Sequence, residues 1–282
     1  MTMKKGKLSK HSPSNDVLED NRYRSLVVLS KLPGAQPILA ITRKILKKPF
    51  VLLLHLFLGR ITYFMPGLVT TKNCDFMKDP EFIKAYNAAM KQHYMPDAGT
   101  WGYHVNQWAA FRAKQLEGDF VECGVYKGTI AMSNITYMDF KTLKNRKYYL
   151  FDTFCGVDEE FCTEDEYLRL KNAYPDCYEF VVNSFKKYPN VVIVKGPVPK
   201  TLSQVHIEKV AYLSLDMNCA LPELEALKYF WPKLVPGGIV VLDDYGWPTC
   251  ENQKTAADNF ASSVRVKVLS LPTGQGIIIK PN

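Results

Sequence analysis

The sequence predicts an α/β fold: a doubly wound, mainly parallel sheet of seven strands that ends in an antiparallel hairpin, preceded by an N-terminal helical arm. Two observations carry this. From residue 119 onward, short apolar runs alternate with helical segments, the pattern of parallel strands joined by crossover helices. The last two apolar runs are separated instead by Pro272-Thr273-Gly274-Gln275-Gly276, too short a turn for a crossover, so they pair antiparallel.

Residues 1–20 are polar and basic with few large apolar side chains, the composition of a disordered tail. Residues 21–99 read as a helical arm, basic and apolar by turns. Residues 1–72 hold thirteen Lys and Arg against Asp16, Glu19 and Asp20, a balance of +10, which leaves −2 of the chain's net +8 for the remainder. Phe50 to Leu58, the most apolar run, is shorter than the about 20 residues of a membrane span and lies too far along the chain for a secretory signal. Two readings stay open for residues 25–69. In one, Lys and Arg meet anionic headgroups while Phe and Leu insert, a peripheral membrane contact. In the other, the arm packs on the domain or on a second copy in a homodimer. The slightly acidic remainder has no basic stripe, which argues against nucleic acid as a substrate. The seven cysteines include no Cys-x-x-Cys pair and read as reduced thiols, which points to the cytoplasm.

Residues 100–282 form the main domain. Just before it, Asp79-Pro80-Glu81 opens a helix, since Pro fits the first turn and acids suit the N-terminus. Thr100 to Leu116 is amphipathic, with Val105, Trp108, Ala109, Phe111 and Leu116 as core contacts, and Gly118 ends it. Phe120–Cys123 is the first strand and Thr129 begins a helix. Strands follow at Tyr148–Phe151, Val191–Val194, Val210–Leu215, Gly238–Leu242, Val264–Leu269 and Ile277–Ile279. Helices run from Pro222 to Trp231 and from Asn252 to about Ser262.

Ligands of such sheets bind at the carboxyl ends of the strands, near the point where strand order reverses. Glu122, Asp152, Asp216, Asp243 and Asp244 all fall at such ends. The turn Glu122-x-Gly124-x-x-x-Gly128 joins a strand to a helix N-terminus and makes a ligand cradle or a plain tight turn. Asp152 is placed to accept hydrogen bonds from ribose hydroxyls, or to organise its own turn. Asp216, Asp243 and Asp244 converge from adjacent strands and repel one another unless a proton or a cation lies between them. Their hard oxygens suit Mg²⁺, Ca²⁺ or Mn²⁺; the alternative is that Asp244 caps a loop and Asp216 is simply exposed.

Four stretches carry a family resemblance: Gly-Asp-Phe-Val-Glu-Cys-Gly-Val-Tyr-Lys-Gly (118–128), Phe-Asp-Thr-Phe-Cys-Gly (151–156), Leu-Ser-Leu-Asp (213–216) and Leu-Val-Pro-Gly-Gly-Ile-Val-Val-Leu-Asp-Asp-Tyr-Gly (234–246). From about Gly118 to Lys280 the chain resembles the class I S-adenosylmethionine-dependent methyltransferases, which are Rossmann-like. More narrowly it is similar to the macrocin O-methyltransferase family, whose members methylate sugar hydroxyls. The resemblance implies that Glu122, Cys123, Gly124, Val125, Tyr126 and Gly128 line the methionine side of the cofactor, and Asp152, Thr153 and Phe154 the adenosine side. It implies that Asp216, Asp243 and Asp244 bind Mg²⁺ and that the acceptor is a sugar or another small-molecule hydroxyl. Asp216 is the candidate catalytic base. The family commonly has Asp and then Tyr-Glu after the first metal aspartate; here Met217-Asn218-Cys219-Ala220 stands instead, so the acceptor's identity does not carry over.

Two rival classes remain. A nicotinamide-dependent oxidoreductase shares this kind of sheet, but the Gly-x-Gly-x-x-Gly fingerprint is absent. A non-catalytic module would use the basic arm to dock on a membrane or a partner.

Overall fold

The computed structural model describes residues 53, 55–57, 59–65, 67–93 and 99–282. The reading of residues 1–20 as disordered, and the reading of most of the arm, lie outside them. The chain divides into two compact units, Met1–Thr62 and Tyr63–Asn282. In the first, residues 53 and 55–57 are helical. Among the described residues no helix is long and apolar enough to cross a membrane.

The second unit opens with a feature that the helical reading of residues 21–99 missed. Strands β1 (Tyr63–Met65) and β2 (Leu68–Thr70) pair antiparallel, Tyr63 opposite Thr70. Aromatic and β-branched residues flank a glycine turn here, which favours a hairpin over a helix. Helix α1 (Pro80–Gln92) starts where the capping signals place it, with the Asp79 carboxylate accepting from the Glu81 N–H at 2.8 Å. It packs on α3 (Thr129–Met138), so the packed body of the domain begins before residue 100.

Helix α2 (Thr100–Ala113) corrects one expectation. Of the expected contacts Ala109 is buried, but Trp108 and Phe111 are 44% and 45% exposed, and the innermost stripe carries Tyr103, Asn106, Gln107, Ala110 and Ala113. These follow the helical i, i+3, i+4, i+7 spacing. Small and amide side chains on that face let the helix lie close to the sheet and bond what is buried there, as Gln107 Nε2 does with Ser133 Oγ at 2.8 Å.

The main sheet is built from β3 (Asp119–Cys123), β4 (Tyr148–Asp152), β5 (Val191–Lys195), β6 (Val210–Leu215), β7 (Leu234–Leu242), β8 (Leu269–Ser270) and β9 (Gly276–Ile279). Its order is β5-β4-β3-β6-β7-β9-β8. All pairs from β5 to β7 are parallel, and β9 runs antiparallel to both β7 and β8, as the glycine turn predicts. The strand expected over 264–269 shrinks to Leu269–Ser270. Arg265 leaves the preceding helix with φ +59°, and Val266 bonds back to the Ala261 carbonyl instead of pairing with a strand.

Two apolar layers sandwich this sheet. Phe120, Tyr148, Leu150, Tyr212 and Val241 point towards α2 and α3. Val121, Cys123, Phe151, Leu213 and Val240 point towards α6 (Ala220–Phe230) and α7 (Glu251–Ser263). The remaining helices, α4 (Glu164–Leu170) and α5 (Tyr178–Phe185), stand in the β4–β5 crossover. Strand order reverses between β3 and β6, so the crevice at their carboxyl ends is where a ligand fits.

Candidate functional site

Register brings the strand ends to one level. Cys123 lies opposite Phe151 and Leu215, and Leu215 opposite Leu242. The next residues, Gly124, Asp152, Asp216 and Asp243, therefore leave the sheet together. Gly124 sits at the reversal point with φ +87°, and a Cβ there would stand 1.9 Å from the Asp216 carbonyl oxygen. The turn after β3 and the end of β6 thus touch backbone to backbone, a contact that only glycine allows.

Asp152 braces that turn. Its Oδ2 accepts the N–H groups of Val125 and Tyr126 at 2.6 and 2.7 Å, and its Oδ1 accepts that of Phe154 at 2.6 Å. The Thr153 hydroxyl lies 3.3 Å from Oδ1 as well, so each of the carboxylate's four lone-pair sites has a donor. The turn-organising bonds of Asp152 are thus the ones seen directly, and a ligand hydroxyl gains a site only where the Thr153 hydroxyl turns to the Gly156 carbonyl instead.

A cavity opens beside these turns. Its wall includes Glu122, Gly124, Val125, Tyr126, Asp152, Thr153 and Phe154, then Tyr174, Val198 and the stretch from Asp216 to Cys219. Two expected wall residues are not in it. Strand alternation turns the Cys123 thiol to the opposite layer. Gly128 caps α3, and the Phe185 ring lies 2.5 Å from where its Cβ would be.

Glu122 is 2% exposed. Tyr148 donates to its Oε2 at 3.0 Å, and the Ala131 N–H in the first turn of α3 bonds it too. Burial outweighs both bonds and pushes its pKa up to about 8.

The acid cluster lies on the β6–β7 side. Among the described residues, Asp216, Asp243 and Asp244 each offer an oxygen within 4.8 Å of the others. Burial, and then repulsion from Asp243, Asp244 and Glu223, raises Asp216 well above the usual carboxylate range. Burial and Asp243 push Asp244 up to about 7. Asp243 is raised by burial, offset by hydrogen bonds from Gln275 and Asn106. Gln275 Nε2 reaches Asp243 Oδ1 at 2.7 Å, whereas the buried Asp244 Oδ2 has no hydrogen-bond partner among the described residues. A cluster of hard, mutually repelling oxygens with one left unsatisfied fits a divalent cation.

Several surrounding residues escaped the sequence reading. Glu223 accepts the Met217 N–H at 3.0 Å and so holds the loop after Asp216. Glu166 forms the capping box of α4 and also accepts the Ala220 N–H at 3.2 Å. Gln275 was legible only as part of a turn, because nothing local shows that the turn folds back on β7. Three further side chains make structural contacts. His104 stacks on Phe76 with ring centroids 4.0 Å apart, and the Tyr245 hydroxyl donates to Asp258 at 2.7 Å. Lys127 lies 3.3 Å from His93 Nδ1.

The chain is similar to known proteins in sequence and in fold. The family model described as Macrocin-O-methyltransferase (TylF) matches residues 105–268, more than half of the chain. Mycinamicin III 3''-O-methyltransferase of Micromonospora griseorubida is 24% identical over 149 residues, 48% of this chain and 58% of that protein. The 8-demethyl-8-(2,3-dimethoxy-alpha-L-rhamnosyl)-tetracenomycin-C 4'-O-methyltransferase of Streptomyces olivaceus is 27% identical over 152 residues, 50% of this chain and 58% of that protein. The chain thus spans under two thirds of the length of the curated relatives it matches. A solved structure of the O-methyltransferase NovP superposes with a TM-score of 0.58 at 20% identity, covering 65% of this chain and 81% of that one. At that identity the likeness shows the fold.

Proposed function

The chain belongs to the macrocin O-methyltransferase family, and on that premise we propose that it transfers a methyl group from S-adenosylmethionine to a hydroxyl of a sugar or glycosylated small molecule. Asp216, Asp243 and Asp244 would hold a divalent cation, Mg²⁺ by preference. One observation supports this most: Asp216 belongs both to the wall of the cavity and to the acid cluster, so donor and acceptor sites meet at its carboxylate. The rhamnosyl acceptor in the name of the Streptomyces olivaceus relative supports a sugar.

The chain's own residues account for the rest of the chemistry. Gly124, Val125 and Tyr126, held in place by Asp152, shape the wall for the methionine end, and Thr153 and Phe154 border the adenosine end. The sulfonium methyl is already activated, so the protein's task is alignment and exclusion of water. As the acceptor oxygen bonds to the methyl carbon, the carbon–sulfur bond breaks to leave S-adenosylhomocysteine. Asp216 takes the hydroxyl proton. A bound cation supplies Lewis acidity that stabilises the alkoxide form of the acceptor.

The test is turnover with S-adenosylmethionine on a panel of nucleotide sugars and glycosylated small molecules. The expected result is a product heavier by one methylene unit, abolished by EDTA and restored by Mg²⁺. Turnover that EDTA leaves intact would remove the cation from the account.

A further inference from the structure

A chain of buried hydrogen bonds runs beneath the site from its donor side to its acid cluster. Tyr148 donates to Glu122 Oε2 at 3.0 Å. Asn134 Nδ2 donates to the hydroxyls of both Tyr148 and Tyr212, at 3.2 and 3.1 Å. Tyr212 donates to Asn106 Oδ1 at 2.8 Å, and the Asn106 amide bonds the Asp243 carboxylate. Asn106, Asn134, Tyr148 and Tyr212 are all 0% exposed. The two tyrosines flank Phe120 on neighbouring strands, and the two asparagines descend on them from α2 and α3.

Counting protons gives this chain a direction. The Gly102 carbonyl, 3.2 Å from Asn106 Nδ2, only accepts, so the Asn106 amide turns its NH₂ group to that side and its Oδ1 to Tyr212. Its Oδ1 then receives the one proton of Tyr212. The Tyr212 oxygen must in turn accept, and Asn134 Nδ2 is a donor to it at 3.1 Å, beside a bond from the Ser214 hydroxyl. The same NH₂ group serves Tyr148, whose proton is left for Glu122. Were the Asn134 amide reversed, its oxygen would face the Tyr212 oxygen with no proton between them, because that proton is held by Asn106, and Tyr148 would give its proton to Asn134 instead of Glu122. The observed orientation leaves Asn134 Oδ1 buried without a partner among the described residues. Unsatisfied buried acceptors are rare and call for an explanation; here the two hydroxyls take up the amide's donors.

We propose that Asn134 is a positioning residue that, through Tyr148 and Tyr212, couples the orientation of Glu122 on the donor side to that of Asp243 on the acceptor side. Tyr212 lines no part of the cavity, yet its hydroxyl is the link through which the acid end sets the Glu122 end. The functional meaning of the coupling rests on the methyltransferase reading; the direction of the bonds does not.

Two measurements on Tyr148→Phe, Tyr212→Phe and the double variant test this. By calorimetry in EDTA, each single change is expected to weaken S-adenosylhomocysteine binding about fivefold, the scale of one buried hydrogen bond. The double change should weaken it no more than the larger single one. Thermal melts run alongside: a Tyr212→Phe chain that melts lower but keeps its affinity within twofold overturns the coupling, as do effects that multiply. By NMR, the slowly exchanging Tyr148 hydroxyl proton is expected to shift in Tyr212→Phe and in Asn134→Leu. An unmoved resonance overturns the network. If the parent chain binds no S-adenosylhomocysteine, the methyltransferase reading fails, and the hydroxyl resonance still tests the network.

Discussion

Asp243→Asn combined with Asp244→Asn is expected to lower turnover by about 10³-fold, because cation-assisted stabilisation of several kcal/mol disappears and each 1.4 kcal/mol is tenfold. The same variant should melt higher than the parent in EDTA. Without a cation, Asp216, Asp243 and Asp244 crowd their charges into buried space, and each is raised above the usual carboxylate range. Asparagine keeps the acceptor that Gln275 needs while removing two of those charges. Each kcal/mol of repulsion relieved raises Tm by about 2–4 °C in a domain of this size. Activity and stability therefore move in opposite directions, which misfolding cannot imitate. Near-parent kcat in this variant would contradict the role given to the cluster.

Gly124→Ala should have the largest effect on stability. Its Cβ would meet the Asp216 carbonyl oxygen at 1.9 Å and the Asp216 carbonyl carbon at 2.3 Å, in backbone at φ +87°. The left-handed conformation costs about 1–2 kcal/mol, and forcing apart two packed strand ends about 1–3 kcal/mol more. Together these lower Tm by about 4–20 °C. Gly237→Ala separates the two terms. Its φ is +78°, but the nearest atoms are the Leu116 methyls at 3.6 Å, so strain remains without the clash. The expected result is a smaller fall for Gly237→Ala, about 2–8 °C. Equal falls would mean that the contact between the turn and Asp216 is softer than drawn.

Both variants act where the sequence was easiest to read. An apolar strand that ends in an acid is visible one residue at a time. Strand ends in a parallel sheet share one level, so Asp216, Asp243 and Asp244 could be expected to converge without any contact being seen. Glycine at 124 was equally legible as a turn, but its neighbour was not. That Gly124 rests on the Asp216 backbone depends on the reversal of strand order, which is a property of the whole sheet. The same limit hid Gln275, which reaches Asp243 from a turn 32 positions later in the chain.

Helix α2 shows why apolar periodicity misled. Large apolar residues such as Trp108 and Phe111 suggested the inner face, whereas the sheet accepts alanines and the two buried amides, Asn106 and Gln107. A polar inner face becomes intelligible only once Tyr212, Ser133 and Asp243 are known to lie opposite it. Likewise the helical reading of residues 21–99 gave way at Tyr63–Thr70, where tertiary context selects a hairpin too short to register as alternation.

The central claim is that the turn after β3 and the end of β4 hold a methyl donor beside an acid cluster. Calorimetry of the full chain with S-adenosylhomocysteine and with NAD⁺, each in EDTA and again in Mg²⁺, tests it most directly. The account predicts saturable binding of S-adenosylhomocysteine at one site per chain in both buffers and no heat with NAD⁺. Binding of NAD⁺ in place of S-adenosylhomocysteine, or of neither, would contradict it.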